Sequence, residues 1–290
     1  MIKTRVHDEF GKLRAAIVHD GSNAIDWSMD DIRRLVSPDD LAQHPEAGPS
    51  SKKQLVEQHG RFRKLLTDHG VSLLSPETHK DALFQVFARD PCFAIGETLF
   101  VGGLRDPWRH PETTGLRDIR TQFERVIDLS GEGATIEGGD IMVLDSGRRA
   151  LVGMNKHTNE DGVRNLSDAL CGSGIEVVRV PHEALHLDCC LAPLPTGEAL
   201  YAPGKLPESS MAAISKHFGG LIALDREEAA VRLAANVFWL DERCVVSGVE
   251  TKKTNTLLRE MGYEVIELDF SDLVSNWGSF RCSVCPIERE

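Results

Sequence analysis

Apolar and polar positions along this chain fall into a pattern that recurs. Four stretches read as hairpins, each an apolar strand, a short polar turn and a second apolar strand. They are DPCFAIGETLFVGG from Asp90, DIMVLDSGRRALVGM from Asp140, DCCLAPLPTGEALYAP from Asp188 and NVFWLDERCVVSGV from Asn236. Their first residues stand 50, 48 and 48 apart, and each is Asp or Asn. The intervals between hairpins carry helical apolar spacing that runs into a short apolar strand. SKKQLVEQHGRFRKLLTDHG precedes VSLL, TTGLRDIRTQFERVI passes into VIDL, and TNEDGVRNLSDALCGSG, with cap candidates Thr158 and Asn159, precedes IEVVRV. SSMAAISKHFGG and TNTLLREMG lead in the same way into LIAL and YEVIEL.

The unit is therefore strand–strand–helix–strand, about five times over. Such units cannot bury their apolar faces singly, and they predict a ring closed around a shared axis, as propeller blades close. The fold expected is α/β: a five-bladed propeller of ββαβ repeats with pseudo-fivefold symmetry, residues 1–290 forming a single domain. The first hairpin shows one clear strand, KLRAAIVHD, so the chain ends should meet there, with FRCSVC near the axis. A doubly wound sheet is the alternative. It needs single strands between helices and usually a Gly-rich phosphate loop, and no such motif occurs.

Composition changes the picture in four ways. With 290 residues, 41% hydrophobic, there is material for a large core. The formal net charge of −12 repels phosphate backbones and argues against nucleic acid as a partner. No apolar run approaches the ~20 residues of a membrane span, and the start lacks a signal-like apolar core. Seven cysteines without framework spacing suggest reduced thiols and a cytoplasmic location. The stretch Ser37–Ser51 reads as a loop, either a lid over a site or a solvated surface segment. Nothing in the pattern specifies subunit number, and a homo-oligomer is left open.

Equivalent strand starts should point to one place, and they carry Asp90, Asp140, Asp188 and Asn236, with Glu137 in IEGGD and His186 in LHLDCC beside them. His186 and Asp188, two apart on an expected strand, should face one way. Glu137 and Asp140 flank a Gly-Gly pair that permits close backbone approach. An Asp beside a turn often just binds local N–H groups. Several carboxylates converging with a His and a Cys call instead for a cation among them. Zinc would need Cys282, Cys285 and two further ligands such as Cys189 or His186. A redox C-x-x-C would normally open a helix, whereas Pro286 and the chain end follow here. A planar guanidinium would pair bidentately with carboxylates and offer an electrophilic carbon to a thiolate.

FARDP, IEGGD, LHLDC, TKKTNTLLREMGYEVI and the terminal FRCSVCPI together resemble the guanidine-modifying superfamily, which contains arginine deiminases, dimethylarginine dimethylaminohydrolases, agmatine deiminases and amidinotransferases. The resemblance runs in order from VHDEFGKLR to the C-terminus, and implies the five-bladed pentein-type α/β propeller. It implies Cys282 as nucleophile, His186 as general acid/base, and Asp90, Glu137 and Asp188 as guanidinium holders, with Asp140 supporting the turn. Arg109 stands where relatives bind a substrate carboxylate, and Asn236 is a lining candidate. His157 and Trp277 stand where close relatives carry arginines for the amino-acid end of the substrate, so that end should be held differently here. The activity implied is hydrolysis at the guanidinium carbon through a Cys282 thiouronium, without metal or cofactor, on a small guanidino compound. Glu137 favours the hydrolases over the amidinotransferases, which carry a shorter Asp there. Amidino transfer to an amine and a non-catalytic guanidino-binding protein are the alternatives.

Overall fold

A computed structural model describes residues 1–35, 38–43 and 45–290. The chain opens with β1 (Leu13–Ile17), α1 (Met29–Leu35), α2 (Pro38–Gln43), α3 (Lys52–Asp68) and β2 (Ser72–Leu74). The hairpin β3 (Cys92–Ile95) and β4 (Thr98–Val101) follows, then α4 (Pro111–Thr114), α5 (Arg117–Arg120) and β5 (Val126–Asp128). The next unit is β6 (Ile141–Leu144), β7 (Arg149–Met154), α6 (Glu160–Ala169) and β8 (Glu176–Pro181). After it come β9 (Leu191–Pro193), β10 (Ala199–Tyr201), α7 (Glu208–Ile214) and β11 (Leu221–Ala223). The last full unit is α8 (Arg226–Val231), β12 (Phe238–Trp239), β13 (Cys244–Gly248), α9 (Lys252–Glu260) and β14 (Glu264–Leu268), before α10 (Ser271–Val274) and β15 (Cys285–Arg289).

These strands make five three-stranded sheets, the blades of an α/β propeller. In every blade the middle strand pairs antiparallel with one neighbour and parallel with the other. The incomplete first hairpin is completed from the far end of the chain: β15 lies antiparallel to β1, with Ile17 opposite Cys285. That closure puts Cys282 just before a first strand, the position that Asp90, Asp140, Asp188 and Asn236 hold in the other four blades.

The helices pack outside the sheets by the faces their spacing anticipates. In α3, Leu55, Gln58, His59, Phe62 and Leu66 are buried, one stripe at helical intervals. Asn159 caps α6, its Oδ1 accepting the Gly162 N–H at 2.9 Å. The helix expected over TTGLRDIRTQFERVI is instead two single turns, α4 and α5. Gly115 between them approaches Gln85 so closely that a Cβ would stand 2.2 Å from its Nε2, and tertiary contact overrides local helical spacing there. Ser37–Ser51 is not a plain loop: α2 occupies Pro38–Gln43, and Ser50 pairs with Trp27. Ser37 and His44 lie outside the described residues, so the lid reading falls partly outside them. No helix among the described residues is long and apolar enough to cross a membrane.

Candidate active site

The pre-strand turns of the five blades are hydrogen-bonded to one another in a closed ring. Arg89 N–H donates to the Cys282 carbonyl at 3.0 Å, and Gly138 N–H to the Asp90 carbonyl at 2.9 Å. Leu187 N–H donates to Asp140 Oδ1 at 2.8 Å. Asn236 Nδ2 donates to the Asp188 carbonyl at 3.2 Å, and Cys282 N–H returns to Asn236 Oδ1 at 3.3 Å. This ring brings the sequence-predicted residues together. Asp90, Glu137, His157, His186, Asp188, Arg109, Asn236 and Cys282 are all buried.

The Gly-Gly pair explains how Glu137 reaches its place. A Cβ on Gly138 would stand 2.1 Å from the Arg89 carbonyl oxygen, and one on Gly139 2.7 Å from the His186 ring. Only glycine lets this turn lie flat against both. Glu137 then spends Oε1 on the Arg105 N–H at 2.9 Å and on His157 Nδ1 at 3.3 Å, and Oε2 on His186 Nε2 at 2.7 Å. Burial works against its charge, but His157 and His186 outweigh it, and the carboxyl is held well below its ordinary range. Asp140 binds His182 Nε2 at 2.9 Å, Leu187 N–H at 2.8 Å and the Thr158 hydroxyl at 2.6 Å, so it organises the turn that carries His186.

His186 and Asp188 do not share a strand face. They flank Leu187 at a 3₁₀ turn (Leu187–Cys189), and β9 begins only at Leu191. The period of two does not apply in such a turn, and the two side chains diverge. His186 faces Glu137 and Asp90. Its Nδ1 lies 3.6 Å from Asp90 Oδ1, and both atoms are buried without a hydrogen-bond partner. Burial disfavours the imidazolium, yet Asp90, Glu137 and Asp140 prevail, and His186 keeps its proton well above the usual histidine range. Asp90 is shifted the other way from an ordinary carboxylate in a salt bridge. Burial, with Glu137 and Asp188 nearby, raises it despite His186 and Arg109.

Asp188 turns to Arg281, whose Nη1 donates to Oδ2 at 2.9 Å. Arg281 lies in the turn before β15, where strand alternation does not govern direction, and it also holds Glu9 at 3.1 Å and the Ile141 carbonyl at 2.6 Å. The Cys282 sulfur lies 3.9 Å from Asp188 Oδ2 and accepts from Asn236 Nδ2 at 3.2 Å.

Arg109 is in the cluster, with its donors turned inward. It forks onto Glu112 with two contacts of 2.8 Å, donates to Asp90 Oδ2 at 2.9 Å, and passes Glu137 at 3.8 Å. Its guanidinium lies 5.9 Å from the centre of the Phe84 ring. Burial opposes its charge, but Glu112 and Asp90 raise its pKa well above the ordinary value. One guanidinium cannot neutralise every carboxylate around it. Burial, with Asp90 and Glu137, pushes Glu112 up to about 7.

Sequence reasoning missed Glu9, Glu112 and Arg105. Arg105, its side chain 32% exposed, reaches His157 Nε2 at 3.5 Å, and its only sequence signal was proximity to Arg109. Trp277 adopts a left-handed backbone (φ 67°) and lies 6.1 Å from Phe84, its indole nitrogen buried without a partner. Among the described residues, two groups bring possible ligand atoms within 4.8 Å of one another: Glu137, His157 and His186, and Asp188, Cys189 and Cys282. Cys285 belongs to neither. It packs in the core with Cys92, so a zinc set built on Cys282 and Cys285 has no geometric basis.

Known proteins share this architecture. The amidinotransferase SxtG of Microseira wollei, from the saxitoxin biosynthetic pathway, superposes with a TM-score of 0.81 over 99% of this chain and 97% of its own, at 17% identity. A dimethylarginine dimethylaminohydrolase mutant from Pseudomonas aeruginosa, complexed with citrulline, gives 0.75 over 95% and 99%, at 22% identity. In sequence, the uncharacterized protein YkgA of Bacillus subtilis (strain 168) is 29% identical over 241 residues, 82% of this chain and 81% of its own length. A family model described as N,N dimethylarginine dimethylhydrolase, eukaryotic, matches residues 37–289. By that match, which covers most of the propeller and Cys282, the chain belongs to the dimethylarginine dimethylhydrolase family of guanidine-modifying proteins.

Proposed function

We propose that residues 1–290 form one catalytic unit, a cysteine-dependent hydrolase that cleaves a C–N bond at the guanidinium carbon of a small guanidino compound. The observation that carries this reading is a buried, carboxylate-rich cluster with polar atoms left without hydrogen bonds. Burial raises Asp90 and Glu112 despite Arg109, and Glu137 crowds the same space. Asp90 Oδ1 and His186 Nδ1 are buried, unpartnered and 3.6 Å apart. Buried polar atoms left unsatisfied cost about 1–3 kcal/mol each, a cost that a flat N–H-rich cation removes on binding. The same carboxylates already hold one guanidinium, that of Arg109.

The chemistry assigns each group a step. The substrate cation, held by Asp90 and Glu137, stabilises a thiolate at Cys282, as the Asn236 amide N–H 3.2 Å from the sulfur also does. The thiolate adds to the guanidinium carbon. His186, with Nε2 occupied by Glu137, gives the leaving nitrogen a proton from Nδ1. Ammonia or an amine departs and an amidino thioether remains on Cys282. His186 then takes a proton from water as it attacks, and the C–S bond breaks to release a ureido product and the thiol. Asp188, neutralised by Arg281, borders the sulfur. Arg109, His157 and the more exposed Arg105 are the groups placed to meet the far end of the substrate, and a carboxylate there would draw Arg109 away from Asp90. The cysteine pattern of the sequence keeps the cytoplasm as the proposed location.

The test is a panel of arginine, methylated arginines, agmatine and small guanidino acids, read for ureido product and released ammonia or amine. Turnover is expected without an added amine acceptor. Replacing the nucleophile, Cys282→Ser, should cost roughly 10⁴-fold or more in kcat while substrate still binds. Turnover only with an amine acceptor would make the protein an amidinotransferase, and binding without turnover by both forms would make it a guanidino-binding protein.

A further inference from the structure

Cys189 is a buried thiol that the proposed chemistry leaves unused, and its sulfur lies within 4.8 Å of that of Cys282. The two come from different blades. Cys189 ends the 3₁₀ turn before β9, and Cys282 lies in the turn before β15. Asn236 clamps these turns together, donating to the Asp188 carbonyl at 3.2 Å and accepting from Cys282 N–H at 3.3 Å. A disulfide requires sulfurs about 2.05 Å apart, so the two neighbouring side chains have a short gap to close.

We infer that Cys189 and Cys282 form a reversible disulfide under peroxide, which takes the site out of action and shields Cys282 from irreversible oxidation. The inference rests on the reading of Cys282 as the nucleophile. The Cys282 thiolate attacks hydrogen peroxide, forming an S–O bond and releasing hydroxide. The Cys189 sulfur then displaces the oxygen of the sulfenic acid, the S–S bond forms, and the oxygen leaves as water with the Cys189 proton. Overall, two thiols and one peroxide give one disulfide and two waters. A dithiol restores both thiols by exchange. Any guanidino substrate must reach Cys282, and a peroxide is smaller. Contact with the Cys282 sulfur, together with burial, raises the Cys189 thiol well above its usual range, which suits a resolving group that stays protonated until a sulfenic acid forms beside it. Asp188 Oδ1, 3.5 Å from the Cys189 sulfur, is placed to accept that proton in passing.

The molecule carries its own control. Cys92 and Cys285 also face each other, but both are fully buried among the core residues between the first two blades. The experiment treats the full chain with a small excess of hydrogen peroxide, in a Cys171→Ser background because Cys171 is exposed. Peptide mapping without reductant is expected to give a Cys189–Cys282 crosslink two hydrogens lighter than the free peptides, with Cys92 and Cys285 unchanged. Activity should be lost in step with the crosslink and return fully with dithiothreitol. In Cys189→Ser the untreated activity should be unchanged, whereas the loss after peroxide should not be reversed and Cys282 should carry sulfinic acid. Sulfenic or sulfinic acid on Cys282 in the parent protein with no crosslink overturns the inference, as does equal recovery in Cys189→Ser. The crosslink is read by mass alone, so a protein inactive on the whole guanidino panel would sink the hydrolase reading and still decide this one.

Discussion

Two buried arginines hold carboxylates at the centre of this propeller, and they sit in opposite electrostatic situations. Arg281 binds Glu9 and Asp188, with Arg89 and Arg289 close behind. Burial alone would raise Glu9, but Arg281 and its two neighbours outweigh it and the carboxyl is lowered. Arg109 binds Glu112 and Asp90 with contacts just as short, yet both carboxyls are raised: burial outweighs Arg109, and Glu137 adds a third negative charge to the same space. The first cluster is rich in cations. The second sets three carboxylates against Arg109 and His186, and under the proposed function that imbalance is what a substrate cation meets.

The contrast can be broken experimentally. Arg281→Met strips the cation-rich cluster and leaves buried charge uncompensated, so a stability loss of about 3–5 kcal/mol is expected in denaturant unfolding. A loss under ~1 kcal/mol would mean that Arg89 and Arg289 alone suffice for Glu9 and Asp188. Next in size is a pH effect. The folded-state pKa of Glu112 is raised from 4.5 to about 7, so the folded protein binds this proton more tightly than the unfolded chain. Its contribution to stability is complete below the unfolded value and is lost as pH rises from about 4.5 to about 7, at most about 3 kcal/mol. Glu112→Gln should flatten that part of the stability curve, leaving a smaller slope from Asp90. An unchanged slope would place the imbalance elsewhere.

Arg109→Ala sharpens the comparison from the substrate side. If Arg109 swings to a substrate carboxylate, kcat/KM falls by about 1.5–3 kcal/mol for carboxylated compounds and much less for agmatine. An equal loss for both would make it a fixed counter-charge of Asp90 and Glu112. The smallest effect is expected from Asn236→Ala. Losing the amide contact to the Cys282 sulfur should cost about 1 kcal/mol, roughly fivefold in kcat/KM of the folded protein, while the lost clamp on Asp188 and Cys282 shows separately as lower stability in denaturant unfolding.

The repeat was legible because strand alternation and polar turns are local features, and Asp90, Asp140, Asp188 and Asn236 marked the same place in four blades. Cys282 is the fifth member of that series, and the lone strand KLRAAIVHD with the terminal FRCSVC already announced that its hairpin is assembled from both ends of the chain. The break between α4 and α5 was not legible, since the contact of Gly115 with Gln85 crosses 30 residues of sequence. The divergence of His186 and Asp188 was hidden by a 3₁₀ turn standing where alternation predicted a strand.

The sequence by itself determined the blades, their number and the residues that end at the axis, because periodicity and turn chemistry act over a few neighbouring positions. Only the tertiary structure decided which charges meet. Whether a carboxylate meets several cations, like Asp188, or crowds with other carboxylates around one guanidinium, like Asp90, depends on which side chains meet it in the folded chain, and electrostatic energy follows distance in space rather than along the sequence.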